Sequence, residues 1–252
     1  MTAQSFAAAL AQARAEAKIL GHAAWESTIR IVADAYAVQD ALAHGHAVRG
    51  WKVTALKPEQ QRGYLSDRPV AGALLAPFVH AAPATLPLAA FITPLLECEV
   101  AFVLGADLPP RATPYSREEI EAAIEAVVPV MEVADGRFAP EAPDLLKLAD
   151  YMGNGAFIIG APVKDWRKLD LGTIKIALSL DGKDTWQGES ARILGNPLLA
   201  VIALANAQPL PAGGLKRGQI VTTGTCTTPI PPRAGEYVAQ FDALGGVSVR
   251  FT

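Results

Sequence analysis

The length, composition and charge of the chain exclude several classes of protein. Its 252 residues include 22 Lys and Arg against 25 Asp and Glu, a net charge of −3, and 51% of the residues are hydrophobic. These values suffice for one sizeable domain with a helical appendage. No stretch concentrates basic residues, so we expect no nucleic-acid partner. No run approaches about 18 apolar residues, so we expect no membrane span.

The cysteines and the N-terminal sequence indicate a reducing compartment. Cys98 and Cys226 are too few for a disulfide framework, and their apolar neighbours predict buried thiols. The N-terminal stretch is interrupted by Arg14, Glu16 and Lys18, and no basic region precedes an apolar segment, so it does not resemble a signal peptide. We therefore expect a cytoplasmic protein.

The first 47 residues are rich in alanine and predict an N-terminal helical segment. We expect two helices, over residues 5–20 and 28–43, because apolar residues recur there at helical spacing. The character then changes, and RGWKVTAL predicts a strand. The sequence is therefore divided into the helical segment 1–47 and a second domain, 48–252.

The middle of the chain predicts strands, loops and one well-marked helix. Residues 58–94 are rich in proline and predict loops with short strands such as AGALLA. The run LLECEVAFVLG predicts a longer strand. Ser116 and Glu119 then form a capping box before apolar residues at helical spacing, which predicts a helix that Pro129 ends. The following PVMEVAD predicts another strand.

The rest of the chain predicts further strands and one short helix. Asn196 and Pro197 suit the start of a helix in NPLLAVIALANA. Strands are predicted for NGAFIIG, GTIKIALSLDGK, GQIVTTGT, EYVAQF and GGVSVRF, with a turn at Asp181-Gly182. Helices followed by many strands, without regular alternation, predict an α+β fold with a strand-rich core.

Two glutamates stand one residue apart in the apolar run LLECEV. Side chains alternate along a strand, so Glu97 and Glu99 point to one face and Cys98 to the other. Adjacent, partly buried carboxylates repel unless a cation compensates them, and a hard cation such as Mg²⁺ takes oxygen ligands. Glu132 lies on the strand after the helix and can complete such a set. The spacing leaves two interpretations open, a metal site and a solvated edge strand.

Five motifs in order resemble one known family. These are ECEVAFVLGADLP, AIEAVVPVMEVADGRF, LADYMGNGAFIIG, GLKRGQIVTTGT and ALGGVSVRF. They resemble the 2-keto-4-pentenoate hydratase and 4-oxalocrotonate decarboxylase branch of the fumarylacetoacetate hydrolase superfamily, from about Arg49 to the C-terminus. The resemblance implies a strand-rich mixed β-roll core with an N-terminal helical segment, and it favours the metal site.

The resemblance also implies the residues of the metal site. Glu97, Glu99 and Glu132 match the ligands of Mg²⁺ or Mn²⁺ in the family. Lys52, in the strand GWKV, matches a catalytic lysine beside the metal. Burial and the metal would lower its pKa while the glutamates would raise it, so the sequence leaves its protonation state open.

The substrate-binding residues are implied in the same way. Thr223, Gly224 and Thr225 match a turn near the substrate carboxylate, and such a turn offers backbone N–H groups and hydroxyls to an anion. Asn154 matches a further substrate-binding position, although the preceding DYMG departs from the family's usual wording. The substrate implied is a small 2-oxo acid.

The stretch SDRPVAG bears on the reaction. Hydratases of this branch tend to carry two acids there, and this chain retains Asp67 but has Val70 at the second position. Asp67 is expected to be either a catalytic residue or a turn residue. The missing second acid leaves room for decarboxylation, which requires no activated water.

The resemblance implies a metal-dependent lyase of 2-oxo or 2-hydroxy dienoic acids. We expect a hydratase of the 2-hydroxypenta-2,4-dienoate type, with a 4-oxalocrotonate-type decarboxylase as the alternative. A C–C bond hydrolase of the superfamily and a non-catalytic partner subunit are further alternatives, and the few histidines argue against the hydrolase. A homo-oligomer is expected, as is association with another enzyme of the pathway.

Overall fold

The computed structural model describes residues 1–252, except for the side chain of Asp184. The α-helices of the described chain are α1 (Ala3–Ala15), α2 (Val32–Ala43), α3 (Pro58–Gly63), α4 (Arg117–Ala123), α5 (Asp144–Ala149) and α6 (Leu198–Ala205). The strands are β1 (Val48–Thr54), β2 (Val70–Leu75), β3 (Val79–Ala81), β4 (Ala84–Leu86), β5 (Leu95–Leu104), β6 (Ile124–Ala134), β7 (Asn154–Ile159), β8 (Lys175–Leu180), β9 (Asp184–Glu189), β10 (Ile220–Thr222), β11 (Gly235–Phe241) and β12 (Gly245–Phe251).

The strands form two mixed sheets. The larger has the order β2-β1-β10-β5-β6-β7-β3 and the smaller β4-β12-β11-β8-β9. In the larger sheet β1 runs parallel to β10 and β3 parallel to β7, while the other neighbours are antiparallel. This arrangement confirms the predicted α+β class, because the strands do not alternate regularly with helices.

The two faces of the larger sheet have different surroundings. Cys98 and Phe102 on β5 belong to the main core, together with Tyr237 of the smaller sheet. The opposite face carries a separate apolar cluster, whose buried members are Leu74, Ala101, Val128, Val130, Phe157 and Ile220. β2 contacts β7 although four strands separate them in the sheet, so the sheet curls around this second cluster. Glu97 and Glu99 share the face of Ala101 and therefore lie on the inside of the curl.

The N-terminal helices pack onto the second domain. Phe6 of α1 and Val38 of α2 share a core with Val70 and Leu146. α1 ends earlier than predicted, because Ala17 adopts a left-handed backbone (φ 48°) and the N–H of Lys18 returns to the Ala13 carbonyl at 2.9 Å.

α2 begins later than predicted. The Asp34 carboxylate accepts the N–H groups of Arg30 (2.9 Å) and Ile31 (3.3 Å), which holds the entry to the helix. Both predicted helices therefore exist, and the predicted end of the second at Ala43 is confirmed, while its start and both ends of the first differ. The division at residue 47 stays a prediction.

Pro129 does not end a helix as predicted. α4 ends at Ala123, and β6 runs from Ile124 through the proline to Ala134. The Pro129 carbonyl accepts the N–H of Gly160 at 2.9 Å, just beyond the end of β7. Because the N–H and C=O of a strand residue face the same neighbour, the missing N–H of the proline breaks no bond to β5. The Val-rich sequence after Ala123 therefore forms a strand.

Candidate metal centre and active site

Three glutamates converge on the inner face of the larger sheet. Glu97 and Glu99 are on β5, and Glu132, on the adjacent β6, is directly opposite Glu97. One carboxylate oxygen from each lies within 4.8 Å of the others. Glu99 and Glu132 are fully buried, and Glu97 is partly buried. Strand alternation and antiparallel pairing thus bring together the three acids that the sequence analysis grouped.

The carboxylate oxygens of the cluster have too few hydrogen-bond partners in the described chain. In the described part of the chain, Glu99 Oε1 and Glu132 Oε2 are buried and have no hydrogen-bond partner. Burial and the charge of Glu132 raise the pKa of Glu97 to about 7. Burial and the charges of its two neighbours raise the pKa of Glu99 well above its ordinary value. A hard divalent cation binds oxygen ligands, and a bound cation would compensate the repulsion between these carboxylates. The three glutamates are therefore suitable ligands for such an ion.

Lys52 on β1 is held against this cluster. Its Nζ donates to Glu132 Oε1 at 2.8 Å and to the Met152 carbonyl at 3.3 Å, and its side chain is 12% exposed. Burial lowers the pKa of Lys52, but the charges of Glu132, Glu97 and Glu99 outweigh it and raise that pKa above its ordinary value. Lys52 is therefore an ammonium beside the three carboxylates.

The Met152 carbonyl reaches Lys52 through an unusual backbone segment. Tyr151, Met152 and Gly153 all have positive φ values, of 52°, 58° and 68°. Consecutive left-handed residues are costly outside glycine and persist only where the surroundings enforce them. Gly72 on β2 makes room, because a Cβ there would be 2.4 Å from the Tyr151 carbonyl oxygen. Sequence reasoning missed Met152, since only Gly153 suggested such a backbone.

Asn154 orients one of the glutamates. Its Nδ2 donates to Glu132 Oε1 at 3.1 Å. Its backbone carbonyl accepts hydrogen bonds from the guanidinium groups of Arg137 (3.1 Å) and Arg14. In this structure Asn154 therefore acts on Glu132, and its expected contact with substrate stays a prediction.

The turn of Thr223, Gly224 and Thr225 lies beside the cluster, but its donors are largely engaged. The Gly224 N–H donates to Glu99 Oε2 at 2.9 Å. The Thr223 hydroxyl donates to a β5 carbonyl at 2.7 Å, and the Thr225 hydroxyl to the Thr227 carbonyl at 2.9 Å. The turn thus positions Glu99, and direct binding of a substrate carboxylate stays a prediction.

A cleft of about 370 Å³ opens onto the cluster. Its inner wall includes Glu97, Glu99 and Lys52, and all three residues of the Thr-Gly-Thr turn line it. Two exposed cations, Lys57 and Arg192, line its outer part. Sequence reasoning missed both cations, because neither belongs to a recognisable motif.

The structure does not bring Asp67 or Val70 to this cleft. The Asp67 side chain is 84% exposed, binds Arg68 at 3.0 Å and lines a different depression. Val70 is 1% exposed and belongs to the core under the N-terminal helices. On β2 it is Gly72 that stands opposite Lys52, and Asp67 precedes the strand in an exposed turn. In this structure neither residue therefore lies at the cleft, and the catalytic role considered for Asp67 stays a prediction.

Comparison with known proteins places the chain in a family. Residues 67–251 match the fumarylacetoacetate (FAA) hydrolase C-terminal family. The chain belongs to this family. The predicted resemblance and the fold type are thereby confirmed.

Individual members of the family are similar over most of the chain. A 2-keto-4-pentenoate hydratase of Burkholderia vietnamiensis is 31% identical over 211 residues, 83% of this chain and 80% of the relative. A 2-oxo-hept-4-ene-1,7-dioate hydratase of Escherichia coli is 30% identical over 234 residues, 87% and 86% of the two chains. The solved 4-oxalocrotonate decarboxylase of Pseudomonas putida G7, complexed with magnesium and adipate, superposes with a TM-score of 0.84 at 25% identity and covers 99% and 97% of the two chains. Among the described helices of this chain, none combines the length and apolarity needed to cross a membrane.

Proposed function

We propose that the protein is a divalent-metal-dependent lyase of 2-oxo or 2-hydroxy dienoic acids, a hydratase of the 2-hydroxypenta-2,4-dienoate type. One observation carries the proposal: three buried or partly buried glutamates, two with unpartnered oxygens, converge beside the Lys52 ammonium, which donates to one of them, where a cleft opens. The names of the relatives, hydratase and decarboxylase, support the same class of reaction. The distal substituent of the substrate differs between those names, so they leave it open.

The three glutamates would hold the metal, Mg²⁺ or Mn²⁺. When bound, the ion supplies Lewis-acid stabilisation of negative charge on the carboxylate and 2-oxo oxygens of the substrate. The Gly224 N–H and the Asn154 amide hold one oxygen of Glu99 and one of Glu132, respectively, leaving the second oxygen of each free. This fixed orientation prepares the site before the substrate binds.

Lys52 is the residue placed to handle a proton. An ammonium has three N–H donors, and hydrogen bonds to Glu132 and Met152 occupy two of them. The third can donate to a substrate that develops negative charge during the reaction. In the metal-free cluster the three carboxylates raise its pKa, so Lys52 carries its proton there at neutral pH.

The proposal is tested by turnover of 2-hydroxypenta-2,4-dienoate with Mg²⁺, followed as loss of ultraviolet absorbance. We expect activity to disappear in chelator and to return with Mg²⁺ or Mn²⁺. Glu99→Gln should weaken metal binding and activity together, whereas Glu125→Gln, an exposed change at the start of β6, should affect neither. Full activity in chelator-treated protein would refute the metal role.

Decarboxylation is the second candidate. It is favoured by the close structural similarity to a 4-oxalocrotonate decarboxylase and by the positions of Asp67 and Val70, which leave the cleft without the acid expected of a hydratase. Release of CO₂ from 4-oxalocrotonate, measured beside hydration, distinguishes the two reactions. No histidine is among the described residues that line the cleft, which argues against a hydrolase that activates water with histidine.

A further inference from the structure

The proposed centre accommodates one end of a substrate. The three glutamates converge on the position of a divalent cation, and Lys52 Nζ is held beside it by Glu132 and the Met152 carbonyl. The cation and Lys52 are therefore engaged by the first carboxylate and the adjacent oxygen of the substrate. A second carboxylate must therefore find its cation elsewhere in the cleft, because an unpaired charge in a partly enclosed site is costly.

Arg192 is an unpaired cation in the same cleft. It is exposed, and among the described side chains no carboxylate lies within 4.0 Å of its guanidinium. The nearest acid in sequence, Glu189, is bound by Lys175 at 2.5 Å. Lys57, which also lines the cleft, likewise has no carboxylate partner among the described residues.

The backbone that carries Arg192 is fixed relative to the glutamates. Arg192 ends a short 3₁₀ turn that begins at Ser190, which is fully buried and whose Oγ accepts the Ile174 N–H at 3.0 Å. The next residue, Ile193, lies against Gly224, where a Cβ would be 3.2 Å from its Cδ1. The Gly224 N–H in turn donates to Glu99 Oε2. Packing and one hydrogen bond therefore connect the turn that carries Arg192 to the three glutamates.

Because the donors of the Thr-Gly-Thr turn are largely engaged, the available partners are Lys57 and Arg192. Of these, Arg192 directly precedes Ile193, which packs against Gly224, the glycine that holds Glu99. An arginine presents two parallel N–H groups that match a carboxylate, and such charge-assisted pairs are among the strong hydrogen bonds of proteins. We propose that Arg192 binds the second carboxylate of a dicarboxylic substrate and so makes this chain prefer dicarboxylic over monocarboxylic acids. The inference rests on the proposed function, in which the first carboxylate lies at the metal.

Binding of non-reacting acids tests this role without turnover. We would titrate adipate and hexanoate, which have equal chain length and differ by one carboxylate, into the Mg²⁺-loaded protein in a calorimeter. Adipate should bind the unaltered protein about tenfold or more tightly than hexanoate, and Arg192→Leu should abolish that difference by weakening adipate alone. Arg192→Lys should retain part of the difference in affinity between adipate and hexanoate. Arg217→Leu, which changes an exposed arginine elsewhere, is the control and should retain the whole difference.

Kinetics then separate this inference from the proposed function. For Arg192→Leu, KM for 4-oxalocrotonate should rise about tenfold or more, while KM for 2-hydroxypenta-2,4-dienoate stays unchanged. Equal binding of adipate and hexanoate by the unaltered protein, or equal losses of both in Arg192→Leu, would overturn the role of Arg192. If neither 4-oxalocrotonate nor 2-hydroxypenta-2,4-dienoate is turned over, the proposed function fails. The calorimetric comparison still decides whether Arg192 recognises a second carboxylate.

Discussion

Glu132 shows how much single contacts matter at this site. Lys52 and Asn154 share one of its oxygens, and the other oxygen is buried without a partner in the described chain. Lys52 is thus the protein's own counter-ion for three carboxylates. Its removal leaves the cluster without a side-chain cation.

Replacing Lys52 therefore tests both charge and proton transfer. Lys52→Met keeps most of the side-chain volume and removes the donor, and we expect turnover to fall by at least about 10²-fold, the scale of losing a general acid–base group. The measurement is kcat at saturating Mg²⁺, with the exposed Lys164→Met as the control. A rate near that of the unaltered protein would make Lys52 a purely structural residue.

Val70, unlike Lys52, is expected to affect the stability of the protein, because its side chain is buried in the core. In the sequence analysis, Val70 in place of a second acid left room for decarboxylation, which implied that Val70→Asp would favour hydration. The structure predicts instead that Val70→Asp destabilises the protein. An unpaired carboxylate at a site 1% exposed should cost at least about 3 kcal/mol of unfolding free energy. Urea unfolding measures this loss, and Asp67→Asn should change stability by less than about 0.5 kcal/mol. A stable Val70→Asp with an altered ratio of CO₂ release to hydration would restore the first interpretation.

Among the elements, β2 and the left-handed segment Tyr151–Gly153 depend on each other. Gly72 lets the Tyr151 carbonyl approach the strand, and this approach places the Met152 carbonyl on Lys52. The contact is between two backbones, so neither side can move out of the way by a side-chain rotation. The position of the Lys52 ammonium therefore depends on a glycine in an edge strand.

Gly72→Ala should disturb both stability and activity. The new Cβ would be 2.4 Å and 2.6 Å from the Tyr151 carbonyl oxygen and carbon, so the backbone must shift. We expect a loss of about 1–3 kcal/mol, typical of overpacking, with a lower kcat as the Met152 carbonyl leaves Lys52. Gly21→Ala is the matched control, because nothing lies within 4 Å of its Cβ position. Unfolding curves and kcat values like those of the control would show that the segment does not position Lys52.

At the scale of the whole molecule, a cation bound by the three glutamates would link β5 to β6, two central strands of the larger sheet. A cation that binds only the folded chain stabilises it by about 2.7 kcal/mol at a concentration one hundred times its Kd. In a protein of this size that raises Tm by roughly 5–10 °C. We expect this shift with Mg²⁺ in calorimetry, its loss in chelator and its absence in Glu99→Gln. An unchanged Tm at saturating Mg²⁺ would contradict binding at the cluster.

The sequence by itself determined what depends on local pattern. Alternation along one strand placed Glu97 and Glu99 together, and the capping box at Ser116 correctly marked the start of α4. Most strands were recognised from their apolar runs. The end of α1 and the start of α2 were not, because they depend on single contacts such as the hydrogen bond from the Lys18 N–H to the Ala13 carbonyl.

Only the tertiary structure decided which distant residues share the cleft. Lys52 meets Glu132 because β1 and β6 belong to one curled sheet, and Arg192 lines the same cleft from the turn after β9 of the smaller sheet. Asp67 lies outside the cleft, since its turn precedes β2 and faces solvent. The periodicity of a sequence indicates which face of a strand a side chain occupies. The order in which strands pair depends on burial across the whole sheet, and a local sequence pattern does not reveal it.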